Sequence, residues 1–177
     1  PEGALVATPV GPLVAGRDEL IVNASTTDPR VSVVDAVATE AMIRYRIAHG
    51  IPAMGTELTE DTIPGEAGAW VIDASVSFTK GCYTGQELVA RIDSRGNNVP
   101  HPIRLLTLES DASVGDDVTV DGTLVGAITS VTASLGAELP ALALARVGRA
   151  VVPGTQVAIG SGPSACAASV VEPGSVR

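Results

Sequence analysis

The sequence predicts an α+β segment over residues 1–100 followed by a small antiparallel β-barrel over 101–177, and three observations carry that division. The first is a helical recurrence: Val34, Val37, Ala38, Ala41, Met42, Tyr45 and Ala48 return at three- and four-residue spacings and give one apolar stripe. The second is the change of pattern after Pro100, where short apolar or alternating runs replace it. The third is the hairpin dipeptide Asp121-Gly122 inside that region.

In chain order, Leu20-Ile21-Val22 reads as the end of a short strand, and Asp28-Pro29 as an N-cap with proline at the first helical position. Gly50 ends the helix that follows, and Pro52 prevents its continuation. After the turn-rich stretch from Gly55 to Pro64, a strand is predicted around Val71 to Phe78, leading into Lys80-Gly81-Cys82. Thr84 and Glu87 stand at capping-box spacing and open a helix near Gly85. Six strands are expected beyond Pro100: 103–108, 118–120, 124–131, 141–147, 156–159 and 165–171. The junction is placed near Asn97-Asn98-Val99-Pro100.

Composition bounds the rest. The chain has 177 residues, 45% hydrophobic and 18% charged, so it has the balance of a folded domain. Aromatics make up only 2%, which leaves the core to aliphatic side chains. A net charge of −9 disfavours direct nucleic-acid binding, which needs basic patches. It leaves room for a local basic site. No apolar run is long enough to cross a bilayer. No signal segment is visible, and the two distant cysteines, Cys82 and Cys166, make neither a disulfide framework nor zinc spacing. A reducing cytoplasm is the expected setting, and no metal site is expected.

Chemistry concentrates at Lys80-Gly81-Cys82-Tyr83-Thr84-Gly85-Gln86-Glu87, where Lys80 is the only lysine of the chain. A neighbouring ammonium and the positive end of a helix both favour the thiolate form of a cysteine. Gly81 and Gly85 would let the backbone turn tightly and approach a ligand. The alternative is a capped surface helix preceded by a buried, inert cysteine. Glu87 and Arg91 are expected to pair across one helical turn. His49 reads as structural, His101 lies at the junction, and Cys166 reads as a packing residue.

The octapeptide, continuing through Val89-Ala90-Arg91 to Arg95-Gly96, resembles the signature of the YgfZ-type folate-binding proteins. These are relatives of the glycine cleavage T-protein (aminomethyltransferase) and of mitochondrial iron–sulfur assembly factors. Arg46-Ile47, Gly50-Ile51-Pro52 and Ile63-Pro64 with Glu66 resemble what precedes that signature, and Gly115 to Ser130 with Ala143-Leu144-Ala145 resembles the family's terminal barrel. The resemblance implies a T-protein-like folate-binding core ahead of the barrel, with tetrahydrofolate as cofactor. It implies Cys82 and Lys80 as the reactive pair, and Gly81, Tyr83, Gly85, Gln86, Glu87 and Arg91 as the cofactor-binding positions. Arg95 and Arg104 are further candidates, directed at a glutamate tail. Family members are longer on the N-terminal side, so residues 1–40 look like the tail of a truncated core. The implied role is support of iron–sulfur enzymes and of tRNA modification; the alternatives are a folate-dependent aminomethyltransferase and a structural interaction domain.

Overall fold

In the computed structural model, residues 5–7, 19–21, 39–96, 98–161 and 165–176 are described. Strands β1 (Leu5–Ala7) and β2 (Glu19–Ile21) form an antiparallel pair with Val6 opposite Leu20. The helix start expected at Asp28-Pro29 lies outside the described residues. Helix α1 (Thr39–Ala48) is followed by a short 3-10 turn (Pro64–Ala67), then α2 (Ala69–Ser75) and α3 (Gln86–Asp93).

Two local expectations are corrected here. The strand around Val71 to Phe78 is instead helix α2, closed by Val71 N–H donating to Gly68 O and Val76 N–H to Ile72 O. Trp70-Val71-Ile72 is a short apolar run, and such runs do not distinguish a buried strand from a buried helix. Here burial of Ile72 beside the 3-10 turn decides for the helix. The stripe along α1 is also displaced. Met42 is 53% exposed, whereas Ile47, which lies outside the stripe, is completely buried with Ala48 beside it. The buried end of α1 packs on Leu105, Leu142 and Leu144 of the barrel wall. Burying Ile47 alone is worth about 1.5–3 kcal/mol. The helix ends as expected: Gly50 N–H donates to Ile47 O, and Gly174 N–H reaches Ala48 O.

Beyond Pro102 the six expected strands are present: β3 (Ile103–Leu108), β4 (Asp117–Val120), β5 (Thr123–Thr132), β6 (Ala141–Val147), β7 (Gln156–Ile159) and β8 (Cys166–Val171). They close into an antiparallel barrel in the order β3-β6-β5-β4-β7-β8. Asp121 (φ 49°) and Gly122 (φ 76°) take the paired left-handed conformations of a tight hairpin turn. The interior holds Leu106, Val118, Ile128, Val157, Ile159 and Val170 around the small side chains Ala143, Ala145 and Ala168. A six-stranded barrel is narrow, and alanine fills its axis where aromatic rings would not fit. Cys166 is buried in this interior; its Sγ accepts from Ser110 N–H at 3.2 Å, in keeping with a packing role.

One irregularity directs a side chain. Pairing between β5 and β6 slips between Ile128 and Ser130, so Ile128 faces Ala145 while Ser130 faces Leu144. Thr129 is the extra residue, and its hydroxyl donates to Leu144 O. Strict alternation would put Ile128 and Ser130 on the same face. The bulge instead turns Ser130 to the outer face that Leu144 shares with α1.

Candidate functional site

The segment Lys80–Gly85 is a surface loop between α2 and α3. Lys80, Gly81, Cys82, Thr84 and Gly85 are exposed and Tyr83 is half-buried. Cys82 is thus a free, accessible thiol, whereas Cys166 is free and buried. The loop is held by Lys80 N–H donating to Ser77 Oγ at 3.2 Å and Gln86 N–H donating to Tyr83 O at 3.3 Å. The Lys80 ammonium sits 4.8 Å from the centre of the Tyr83 ring, a cation–π arrangement. The Tyr83 hydroxyl is buried, with no hydrogen-bond partner among the described residues. The space beside Gly81 and Gly85 is open: a side-chain carbon at either position would meet nothing within 4 Å.

Helix α3 starts at Gln86, as expected, but the capping box does not form. Its N-cap is Gly85 at φ 84°, and no side chain caps the helix. With Gly85 in the left-handed region the chain turns before Thr84 can reach the first helical N–H groups. Gln86 is half-buried, while Glu87 and Arg91 are exposed. The ion pair expected between Glu87 and Arg91 is absent among the described residues, where the pairs are Arg46–Glu57 and Arg146–Glu66. The loop therefore brings Lys80, Gly81, Cys82, Tyr83 and Gly85 together, with Gln86 at the helix start. Arg95 is exposed, and Arg104 belongs to a separate cleft lined by Glu66 and Arg149. His49 stacks on Tyr45 with ring centres 4.1 Å apart, and His101 is exposed. Among the described residues no group of His, Cys, Asp and Glu could hold a metal ion.

The buried polar centre is a cluster that pattern reading alone did not assemble. Glu57 has no solvent exposure. Its carboxylate accepts from Ser130 Oγ at 2.5 Å, Ala53 N–H at 2.9 Å and Arg46 at 3.0 Å. Arg46 also donates to Ser130 Oγ at 2.7 Å. Alongside, Arg146 donates to Glu66 at 2.6 Å, to Glu57 O at 2.7 Å and to Thr62 Oγ1 at 3.0 Å. Burial pushes the Glu57 carboxyl up, but the Ser130 and Ala53 hydrogen bonds and the Arg46 charge outweigh it and hold it below its ordinary value. These contacts fasten residues 46–66 to the outside of β5 and β6. The 3-10 turn bearing Glu66 packs in turn on α3, the helix that follows the cysteine loop. Arg46 and Glu66 stand within the stretches that resemble the family, but their partners on the barrel, Ser130 and Arg146, are 84 and 80 residues distant.

Comparison with known proteins agrees with this architecture. No protein-family model matches the chain. It is 32% identical over 139 residues to "Putative transferase At1g60990, chloroplastic" of Arabidopsis thaliana, covering 74% of this chain and 31% of that protein. It is 33% identical over 119 residues to the tRNA-modifying protein YgfZ of Aliivibrio fischeri, covering 58% of this chain and 37% of that protein. The fold is similar to the glycine cleavage system aminomethyltransferase T from Bartonella henselae, with TM-score 0.58 and 19% identity over 76% of this chain and 37% of that one. The fold is thus similar to that of a glycine cleavage T-protein. In sequence, the chain is similar to the YgfZ type over 58% of its length. It spans about a third of the length of these relatives.

Proposed function

We propose that this chain acts within a tetrahydrofolate-binding accessory protein that supports tRNA modification and the assembly or repair of iron–sulfur clusters, with Cys82 as its reactive group. The observation that carries this reading is the exposed thiol at the centre of the Lys80–Glu87 loop. It stands on an open glycine-flanked backbone, and Lys80, two residues before it in the chain, lies over the Tyr83 ring. The relatives named for tRNA modification supply the process, and the T-protein fold supplies the expectation of folate. Gly81, Tyr83, Gly85, Gln86, Glu87 and Arg91 are the positions proposed to meet the cofactor. Lys80 serves as the cation beside the thiol, and the setting proposed is the cytoplasm. The aminomethyltransferase alternative has in its favour the shared fold and a relative named as a putative transferase.

The test is replacement of Cys82 by serine in the full-length protein, in cells lacking the native copy. The measurements are the level of modified tRNA and the binding of tetrahydrofolate to the purified protein by calorimetry. The reading expects loss of modification with folate binding retained. Normal tRNA modification by a well-folded Cys82→Ser protein would remove the thiol from the function, and absence of any folate binding would remove the cofactor.

A further inference from the structure

A second feature lies away from the cysteine loop, where the linker before β3, the 3-10 turn and the turn between β6 and β7 meet. A cleft of about 200 Å³ opens there, with Arg104, Arg149, Glu66 and Asn98 in its walls. The turn from Gly148 to Val151 organises the basic side. It carries Arg149, and its Val151 carbonyl accepts from Arg104 Nε at 3.0 Å. That bond fixes the plane of the Arg104 guanidinium and leaves its two terminal nitrogens without a protein partner among the described residues. The Arg149 guanidinium likewise has none and is exposed.

The state of Arg104 is unusual for this chain. The other half-buried arginines among the described residues are occupied: Arg46 by Glu57 and Ser130, Arg146 by Glu66 and Thr62, and Arg44 by the carbonyls of Ala133 and Pro140. Arg104 is also half-buried, and burial opposes its charge, yet among the described residues no carboxylate lies within ion-pair distance; Glu172 acts on it only at longer range. A partly desolvated guanidinium without a counter-ion is unfavourable. A second guanidinium on the same small cleft adds repulsion that an anion between them would relieve. The Glu66 carboxylate in the wall is already paired with Arg146 at 2.6 Å.

We infer that this cleft is a binding site for an oxyanion group, a phosphoryl or a carboxylate, gripped by Arg104 and Arg149. Guanidinium groups match both geometries through paired N–H donors. The volume accommodates one such group with a few attached atoms. The site is lined by none of the residues of the Cys82 loop, and only its carboxylate form would bear on the proposed cofactor.

The experiment uses the chain as it stands. Orthophosphate and glutarate are titrated separately at constant ionic strength, and the backbone amide signals of Val99, Ile103 and Val151 are followed by NMR. Saturable shifts at these residues are expected, with a dissociation constant on the order of 1 mM for a single group. Arg149→Gln, which alters an exposed side chain only, should weaken binding at least tenfold, and Arg104→Gln should do the same. Tighter binding of orthophosphate would identify a phosphoryl source, and tighter binding of glutarate a carboxylate source. Shifts that fail to saturate with both anions, or that persist unchanged in Arg149→Gln, would overturn the site.

Discussion

Replacing Glu57 by glutamine should lower stability at pH 7 by about 3 kcal/mol. Removing one partner of a buried ion pair costs roughly 3–5 kcal/mol, because the other charge is left without compensation. Glu57 is completely buried, but the Arg46 side chain keeps 22% of its exposure and can recruit water, which favours the low end of that range. Arg46 also keeps its bonds to Ile51 O and Ser130 Oγ. For a chain of this size the loss corresponds to a melting temperature lower by about 6–12 °C. The pH dependence gives a sharper check. The folded Glu57 carboxyl titrates below its ordinary 4.5, so its contribution is fully present above pH 4.5 and is lost as pH falls through the folded value. Native and variant stabilities should therefore differ most near neutrality and converge in acid. Urea unfolding at pH 7 and at several lower pH values, followed by the fluorescence of the single tryptophan, Trp70, measures both. A loss under 1 kcal/mol at pH 7, or a gap that does not narrow in acid, would refute the account of this cluster.

Three further outcomes follow from the geometry. Under native conditions iodoacetamide should modify exposed Cys82 and leave buried Cys166 intact, as peptide mass mapping would show; equal labelling would contradict the barrel packing. Thr84→Ala should change stability by less than about 0.5 kcal/mol, since no cap bond is lost, whereas Gly85→Ala at φ 84° should cost about 1 kcal/mol or more, so the reverse order in thermal melts would restore the capping box. Gly126→Ala should abolish folding of the barrel: its methyl group would overlap the Arg146 carbonyl oxygen and crowd Val147 Cα at 2.8 Å, and a native-like circular dichroism spectrum would show that the strands can separate there.

The barrel was legible in the sequence because its signals are local. Alternation within each strand and turn residues between strands delimit 103–108 and 141–147 without knowledge of any partner. The helices were less so. Val71 and Ile72 favour a strand by type, and only their packing beside the 3-10 turn makes α2 a helix. Thr84 and Glu87 carry the spacing of a capping box, yet one glycine between them redirects the chain. The cysteine loop stood out through residue chemistry, and it lies exposed on the surface. The Glu57 cluster was illegible for a different reason: it joins a helix, a turn-rich stretch and a bulged strand. No periodicity announces that Ser130 faces outward, because Thr129 resets the alternation just before it.

The long reach of that cluster has a consequence for synthesis on the ribosome. Glu57 emerges 73 residues before Ser130, a delay of roughly 4–15 s at the usual 5–20 residues per second. Throughout that interval its carboxylate lacks the hydroxyl that helps it withdraw from water, and its neighbours lack the wall of β5 and β6 to lie against. The segment from Arg46 to Glu66 should thus stay protease-sensitive in nascent chains arrested before Thr123 and become protected only once Val147 has emerged. Pulse proteolysis of such arrested chains would show whether the early half of the molecule waits for the later one.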